Sequence, residues 1–365
     1  MDQAHVLLKQ YYGYDSFLPG QEQAVNALLA GRDLLAVMPT GAGKSVCFQL
    51  PALALPGVTL VISPLISLMS DQVAALRQAG IPAAYLNSSL TARQYMLALD
   101  YARHGRYRLI YVAPERLRTA AFLDFVRQTE IALVAVDEAH CVSQWGPEFR
   151  PSYLGIPDFM AQLRRRPPLG AFTATATPRL REDMTRQLAL MNPVQVATGF
   201  DRPELHFSVV QTEQKDAALR KIVLEHAGEA GIVYCATRRL VEQVCGMLQA
   251  CGVPATRYHA GLEPEERREN QEAFLYDRKT VMVATSAFGM GIDKSNVRYV
   301  VHYNMPMDLE SYYQEAGRAG RDRGAAVCVL LFSSNDVTIA RYLLEHSEPQ
   351  EPVDEAQRKA VQEAS

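Results

Sequence analysis

Residues 33–53 read DLLAVMPTGAGKSVCFQLPAL: an apolar run, a glycine-bearing turn, then a stretch that suits a helix. Strand, turn and helix in that order form the setting of a phosphate-binding loop. Gly41 and Gly43 let the backbone curl so that successive N–H groups, from Thr40 onward, face phosphate oxygens, and the following helix adds its positive N-terminal end. In that frame Lys44 reaches the β- and γ-phosphates and Ser45 ligates magnesium. The strict pattern has glycine where this chain has Met38, so the match is partial.

Outward from the loop, short β-branched runs recur with helix-length segments between them: TLVISP, RLIYVA, ALVAVDE and LGAFTAT, then HFSVVQ, GIVYCAT, TRYHAG, TVMVAT, VRYVVHY and AAVCVLLF. Apolar strands without alternation are expected where helices cover both faces of a parallel sheet. Amphipathic stretches such as LISLMSDQVAALRQAG and RRLVEQVCGMLQACG each close on glycine, as a helix C-cap requires. A chain of 365 residues exceeds one ordinary core, and the pattern predicts two α/β domains, 1–200 and 201–341. The boundary falls at TGFDRPEL, Thr198 to Leu205, where Gly and Pro interrupt the rhythm, and residues 342–365 read as a polar tail.

Composition narrows the class. The apolar runs are broken by Ser and Pro well short of the roughly 20 residues needed to span a bilayer, and the N-terminal MDQAHVLLKQYYGYD lacks the pattern of a secretory leader. These features predict a protein of the cell interior, cytoplasmic or nucleoid-associated, with no membrane partner. The six cysteines are scattered with no C-x-x-C pair, so buried reduced thiols are expected rather than a zinc site. A net charge of −3 argues against a uniformly basic coat but permits a local basic groove.

LVAVDEAH (133–140) sets Asp137 and Glu138 just after an apolar strand. Carboxylates there are costly to desolvate unless a metal or donors compensate. Downstream of a phosphate loop they suit a magnesium-binding Asp137 and a Glu138 that activates the attacking water.

FTATATP (172–178), VMVATSAFGMGIDK (281–294) and YYQEAGRAGRDRG (312–324) resemble the ordered motifs of superfamily 2 helicases, and DEAHCVSQWG, SPLISLM and GYDSFLPGQ resemble the RecQ family of DNA helicases in particular. The resemblance covers about residues 10 to 341, and its motifs stand in family order. It implies two tandem RecA-like P-loop domains with a nucleotide cleft between them. The implied activity is ATP-dependent and magnesium-dependent: 3′–5′ movement on single-stranded DNA and unwinding of forked duplexes in repair and recombination. Single-strand-binding protein and other repair factors are the implied protein partners.

The resemblance also assigns residues. Gln21 would hydrogen-bond the adenine edge, which an amide suits because it donates and accepts at once; Leu18 stands where the family has Arg, so weaker adenine binding is expected. Arg318 and Arg321 in GRAGRDR would approach the γ-phosphate from the second domain, and Asp293 the ribose. The loop after the acidic pair, Cys141 to Arg150, would sense single-stranded DNA through Trp145, Phe149 and Arg150, coupled to the acids through His140. Pro147 replaces the His common in relatives. Further strand contacts would come from Ser63 and Ser67, Arg116, His259, and Thr285 with Ser286. The family's four-cysteine zinc site and winged-helix region have no counterpart here, so ATP hydrolysis and single-strand binding are expected to persist better than duplex unwinding.

Overall fold

A computed structural model describes residues 3–64, 66–144, 149–199, 201–288 and 294–346, with the backbone alone at 67, 340 and 342–346. Its two sheets are parallel throughout. The first contains β1 (Leu34–Val37), β2 (Val58–Ile62), β3 (Ala83–Leu86), β4 (Leu109–Val112), β5 (Ile131–Val136), β6 (Leu169–Thr173) and β7 (Val194–Ala197), in the order β3-β4-β2-β5-β6-β1-β7. The second contains β8 (Leu205–Gln211), β9 (Ala230–Tyr234), β10 (Ala255–Tyr258), β11 (Val281–Ala284), β12 (Val297–His302) and β13 (Ala326–Phe332), in the order β10-β11-β9-β12-β13-β8. The chain crosses from one sheet to the other between Ala197 and Leu205.

Burial on both faces explains the apolar strands. In β2, Val58, Leu60 and Ile62 enter one cluster with Phe122 and Phe159, while Val61 turns to the other face among Phe48, Met69 and Tyr111. The second sheet repeats this arrangement, with Ile232 and Val300 on one side and Val233 and Val301 on the other. Gly80 and Gly252, after the helices Ile66–Gln78 and Arg238–Ala250, both have φ of 78°, the left-handed conformation that ends a helix cheaply only at glycine. Five cysteines are buried, but Cys251, just past a helix end, is exposed, contrary to the expectation from its apolar setting. Among the described residues no helix is long and apolar enough to cross a membrane.

The second lobe is closed by a buried ion pair at the strand ends. Asp336 accepts from Lys215 Nζ at 2.5 and 2.7 Å, from Asn304 Nδ2 at 3.0 Å and from the Ser333 N–H at 2.7 Å. Lys215 also donates to the Tyr303 carbonyl at 2.7 Å. Burial alone would raise the Asp336 carboxyl, but the bonds from Lys215, Ser333 and Asn304 prevail and hold it below the usual aspartate range. Removing one member leaves the other charge buried and unpaired, so Asp336→Ala should destabilise this lobe by about 3–5 kcal/mol in denaturant unfolding. Because the folded pKa is depressed, the wild-type contribution should be complete above about pH 4 and be lost as pH falls below it.

Candidate active site and nucleic-acid interface

The phosphate loop leaves β1 and enters the helix Lys44–Ala54. Gly41 and Gly43 have φ of 84° and 68°, where a side chain would be strained. A Cβ at Gly43 would also lie 2.5 Å from Gln21 Nε2. The missing first glycine has a structural account: Met38 prolongs the strand, its N–H donates to the Thr173 carbonyl at 3.0 Å, and its fully buried side chain joins the core beside Cys47. Lys44 Nζ donates to the Met38 and Pro39 carbonyls at 3.1 and 3.4 Å, so its side chain lies back across the loop. Burial lowers its pKa; Glu138 and Asp137 oppose that fall, and Arg321 adds to it. Ser45 is half-buried in the first turn of the helix.

Gln21 has both ends of its amide engaged within the protein. Its Oε1 accepts from the Leu18 N–H at 2.9 Å, and its Nε2 donates to the Ala42 and Gly43 carbonyls at 3.0 and 3.2 Å. An adenine edge would have to share or displace these bonds.

Asp137 follows β5, and its N–H donates to the Ile62 carbonyl at 2.8 Å. Asp137 is half-buried, yet atoms crowd the carboxyl closely; burial first, then the Glu138 charge, push its pKa up to about 7. Glu138 donates its N–H to Asp137 Oδ1 at 3.0 Å and holds a φ of 46°, a left-handed conformation costing about 1 kcal/mol or more for a residue with a side chain. Its Oε2 is buried without a hydrogen-bond partner, and the Ser45 hydroxyl and Asp137 carboxylate are the hard oxygen donors magnesium prefers. The residues present therefore fit that ion.

His140 is fully buried, and burial lowers its pKa, so the ring is neutral. Thr173 donates its hydroxyl proton to the Thr175 carbonyl at 3.1 Å, so the 2.9 Å contact between Thr173 Oγ1 and His140 Nδ1 requires the histidine to donate. The same Nδ1 lies 3.4 Å from Glu138 Oε2. His140 thus joins the second acid to the FTATATP segment.

The opposite wall is the turn after the helix Leu309–Ala316. This helix starts at Asp308, whose side chain accepts from the Ser311 N–H at 2.6 Å. Arg321 runs beside the phosphate loop: a Cβ at Gly41 would lie 3.8 Å from its Cγ. Arg318 turns inward, is 7% exposed, and lies close enough to Tyr234 to influence it; the Tyr234 hydroxyl donates to the Phe288 carbonyl at 2.8 Å within the second lobe. The structure thus brings Lys44, Asp137, Glu138 and Arg321 to one cleft and places Arg318 behind it. Asp293 lies outside the described residues.

The loop expected to meet DNA is fixed at both ends. Ser143 Oγ donates to Asp183 in the helix Pro178–Gln187, and Arg150 N–H donates to the Cys141 carbonyl at 2.8 Å. Arg150 Nη1 reaches the Pro64 carbonyl at 3.2 Å, linking the loop to the SPLIS segment, and Tyr153 Oη donates to the Asp137 carbonyl at 3.1 Å. Phe149 is half-buried beside it, while Trp145 and Pro147 lie outside the described residues.

Two expected strand contacts differ from expectation. Ser63 is fully buried at the end of β2, so its hydroxyl presents nothing to a strand in this conformation. His259 is 5% exposed; its Nε2 lies 2.8 Å from Glu242 Oε1, and its Nδ1 accepts from the Gly261 N–H at 3.2 Å. With both nitrogens engaged, the ring braces the turn after β10. Arg116 is half-buried, its guanidinium over Tyr95 at 5.2 Å. Ser67 stands in the first turn of the helix Ile66–Gln78, Thr285 is half-buried and Ser286 exposed after β11.

Sequence reasoning missed Arg202, in the crossing segment. Its Nη1 donates to the Thr40 carbonyl at 2.7 Å and to the Gly317 carbonyl at 3.4 Å, and its Nη2 to the Ala319 and Gly320 carbonyls at 3.0 and 3.2 Å. Its only signal was a lone Arg-Pro-Glu within a stretch otherwise read as a boundary.

Two family models match the chain: DEAD/DEAH box helicase over residues 18–184, and Helicase conserved C-terminal domain over 214–323. ATP-dependent DNA helicase RecQ of Bacillus subtilis is 49% identical over 352 residues, covering 96% of this chain and 60% of that protein. RecQ of Pasteurella multocida is 44% identical, covering 98% of this chain and 57% of its own. Probable ATP-dependent DNA helicase RecS of Bacillus subtilis is 36% identical, covering 93% and 68%. The chain therefore spans only 60% or less of the length of these RecQ proteins. Among solved structures, the helicase MrfA bound to DNA has a TM-score of 0.76 at 19% identity, covering 97% of this chain and 55% of that one. Dbp5 of S. cerevisiae bound to RNA and ADP BeF3 has 0.70 at 19%, covering 93% and 90%. Likeness at such identity carries the fold, which is two tandem RecA-like domains.

Proposed function

The chain belongs to the RecQ family of helicases, and from that premise we propose that it is an ATP-dependent DNA helicase coupling hydrolysis to 3′–5′ movement along single-stranded DNA and to duplex separation. Repair and recombination inside the cell are the processes this activity would serve. The observation that supports the reading most is the meeting of both lobes at Gly41, where Arg321 from one and Lys44 from the other flank the phosphate loop.

The loop N–H groups and Lys44 would bind the nucleotide phosphates, with Lys44 moving off the Met38 and Pro39 carbonyls as they enter. Ser45 and Asp137 would hold magnesium, which neutralises charge on the β- and γ-phosphate oxygens when bound. Glu138, its carboxylate aimed by a left-handed backbone, would orient the attacking water and take its proton. Arg321 would meet the charge that develops on the transferring phosphoryl group. Arg318, buried near Tyr234, would support that turn from within. Gln21 and Asp293 would complete the site at adenine and ribose, and adenine binding would be weaker than in relatives for want of an arginine at Leu18.

Strand contact would reach the acids over a short path. The DNA-sensing loop closes on Cys141, one residue from His140, which touches Glu138. Trp145, Phe149 and Arg150 would stack on and steer the strand, with Ser67, Arg116, Thr285 and Ser286 along its backbone. A stacked base contributes about 1–3 kcal/mol, so Trp145→Ala should cut the strand-stimulated ATPase rate by about fivefold or more, with the loss in the stimulated rather than the basal rate. Stimulation equal to wild type would remove this coupling role.

The deciding experiment runs a fluorescent forked-duplex unwinding assay beside a strand-stimulated ATPase assay on the same protein. Separation of the fork that requires hydrolysable ATP is the expected result. Stimulated hydrolysis without strand separation would reduce the chain to a translocating ATPase, and stimulation by RNA but not DNA would overturn the substrate.

A further inference from the structure

Arg202 has no role in the chemistry above, yet its side chain bonds both the phosphate loop and the turn of the second lobe. It is 9% exposed, and its Nε donates to Glu204. Its four other bonds all end on main-chain carbonyls. One of these, Thr40, belongs to the phosphate loop; Gly317, Ala319 and Gly320 belong to the turn that carries Arg318 and Arg321. Gly317 caps the C-terminal end of the helix Leu309–Ala316, where the helix dipole favours a cation.

Spatially, Arg202 and Arg321 flank the same residue. A Cβ on Gly41 would lie 3.4 Å from Arg202 Nη1 and 3.8 Å from Arg321 Cγ, and one on Gly317 would lie 3.5 Å from Thr40 Cβ. The phosphate loop and the arginine turn are thus in near contact, and Arg202 bonds both. It grips the loop by a carbonyl, which leaves the loop N–H groups for phosphate. Only a planar, always-charged fork with five donors can serve acceptors on three sides at once; an ammonium cannot span them.

We propose that Arg202 is a positioning residue that fastens the phosphate loop to the arginine turn and so sets how closely Arg321 approaches the γ-phosphate. This rests on the nucleotide-hydrolysing reading given above. The ground-state phosphates would be held by the loop N–H groups and Lys44, and adenine by Gln21, all in the first lobe, so losing the fastening should act on turnover more than on binding.

The test compares wild type, R202A, R202K, R321A and the double variant R202A/R321A by strand-stimulated ATPase kinetics, fluorescent ATP-analogue binding and thermal melting. A misplacement of about 1 Å costs about 10²-fold, so kcat of R202A should fall by about that factor, with KM and analogue affinity within about threefold of wild type. R202K should stay close to R202A, and the double variant should be no slower than R321A alone, because Arg202 acts through Arg321. Should R202A fail to fold, R202K carries the same comparison. A wild-type kcat in R202K, equal losses in the presence and absence of Arg321, or a lowered melting temperature with kcat per folded molecule unchanged would each overturn the proposal. A wild-type protein that hydrolyses no ATP would instead overturn the reading on which it rests.

Discussion

Replacing Arg321 with alanine is expected to lower strand-stimulated ATP turnover by about 10³-fold or more while KM for ATP changes by less than about threefold. The asymmetry follows from where the residue stands. Arg321 comes from the opposite lobe, beside Gly41 and close enough to influence Lys44. A guanidinium there meets little extra charge in bound ATP but meets the charge that accumulates as the γ-phosphoryl group departs. Its stabilisation therefore belongs to the transition state. Arg318→Ala should behave differently, since that side chain is enclosed beside Tyr234. Steady-state kinetics with fluorescent-analogue titration separates the outcomes; an R321A protein with normal kcat would remove Arg321 from the active site.

Lys44→Ala is the second large effect, and it should differ in kind: kcat lower by about 10²- to 10³-fold together with weakened nucleotide binding. Lys44 meets phosphate in both the ground and transition states, so uniform binding is lost along with catalysis. A further cost comes from the empty loop, which loses the bonds from Nζ to the Met38 and Pro39 carbonyls. Isothermal titration with a non-hydrolysable analogue, beside turnover, would show both losses. Undiminished hydrolysis in K44A would dismiss the loop as the nucleotide site.

Lys44 was legible as a candidate from the glycine-bearing turn between an apolar run and a helix-like stretch, whereas Arg321 was a candidate only through the resemblance of GRAGRDR to a family motif. The strands that hold those loops were equally visible, being apolar throughout. The strands the sequence concealed are β3 and β7, the two edges of the first sheet. Each follows a proline closely, the AAYL of β3 has no β-branched residue, and the VQVA of β7 carries a Gln and is only partly buried, so neither shows the β-branched apolar run that marked the others. The setting of Ser63 and His259 was hidden for a related reason. Residue type and motif position say that a hydroxyl or an imidazole is near the groove, whereas burial of Ser63 and engagement of His259 by Glu242 and Gly261 depend on tertiary packing. Arg202 escaped entirely because its partners are carbonyls. Backbone acceptors leave no trace in residue identity, so no spacing rule could have paired residue 202 with Thr40 or Ala319.

The pairing of β1 with β6 and β7 bears on how the molecule is made. Leu34 pairs with Gly170 on one side and Val194 on the other, so the strand that seats the phosphate loop has no sheet neighbours until about 136 further residues have been synthesised. At about 5–20 residues per second this takes about 7 to 27 seconds. Throughout that interval Leu34–Val37 lacks both of its native sheet partners, so the nucleotide pocket of the nascent chain is expected to be among the last parts of its first lobe to take shape.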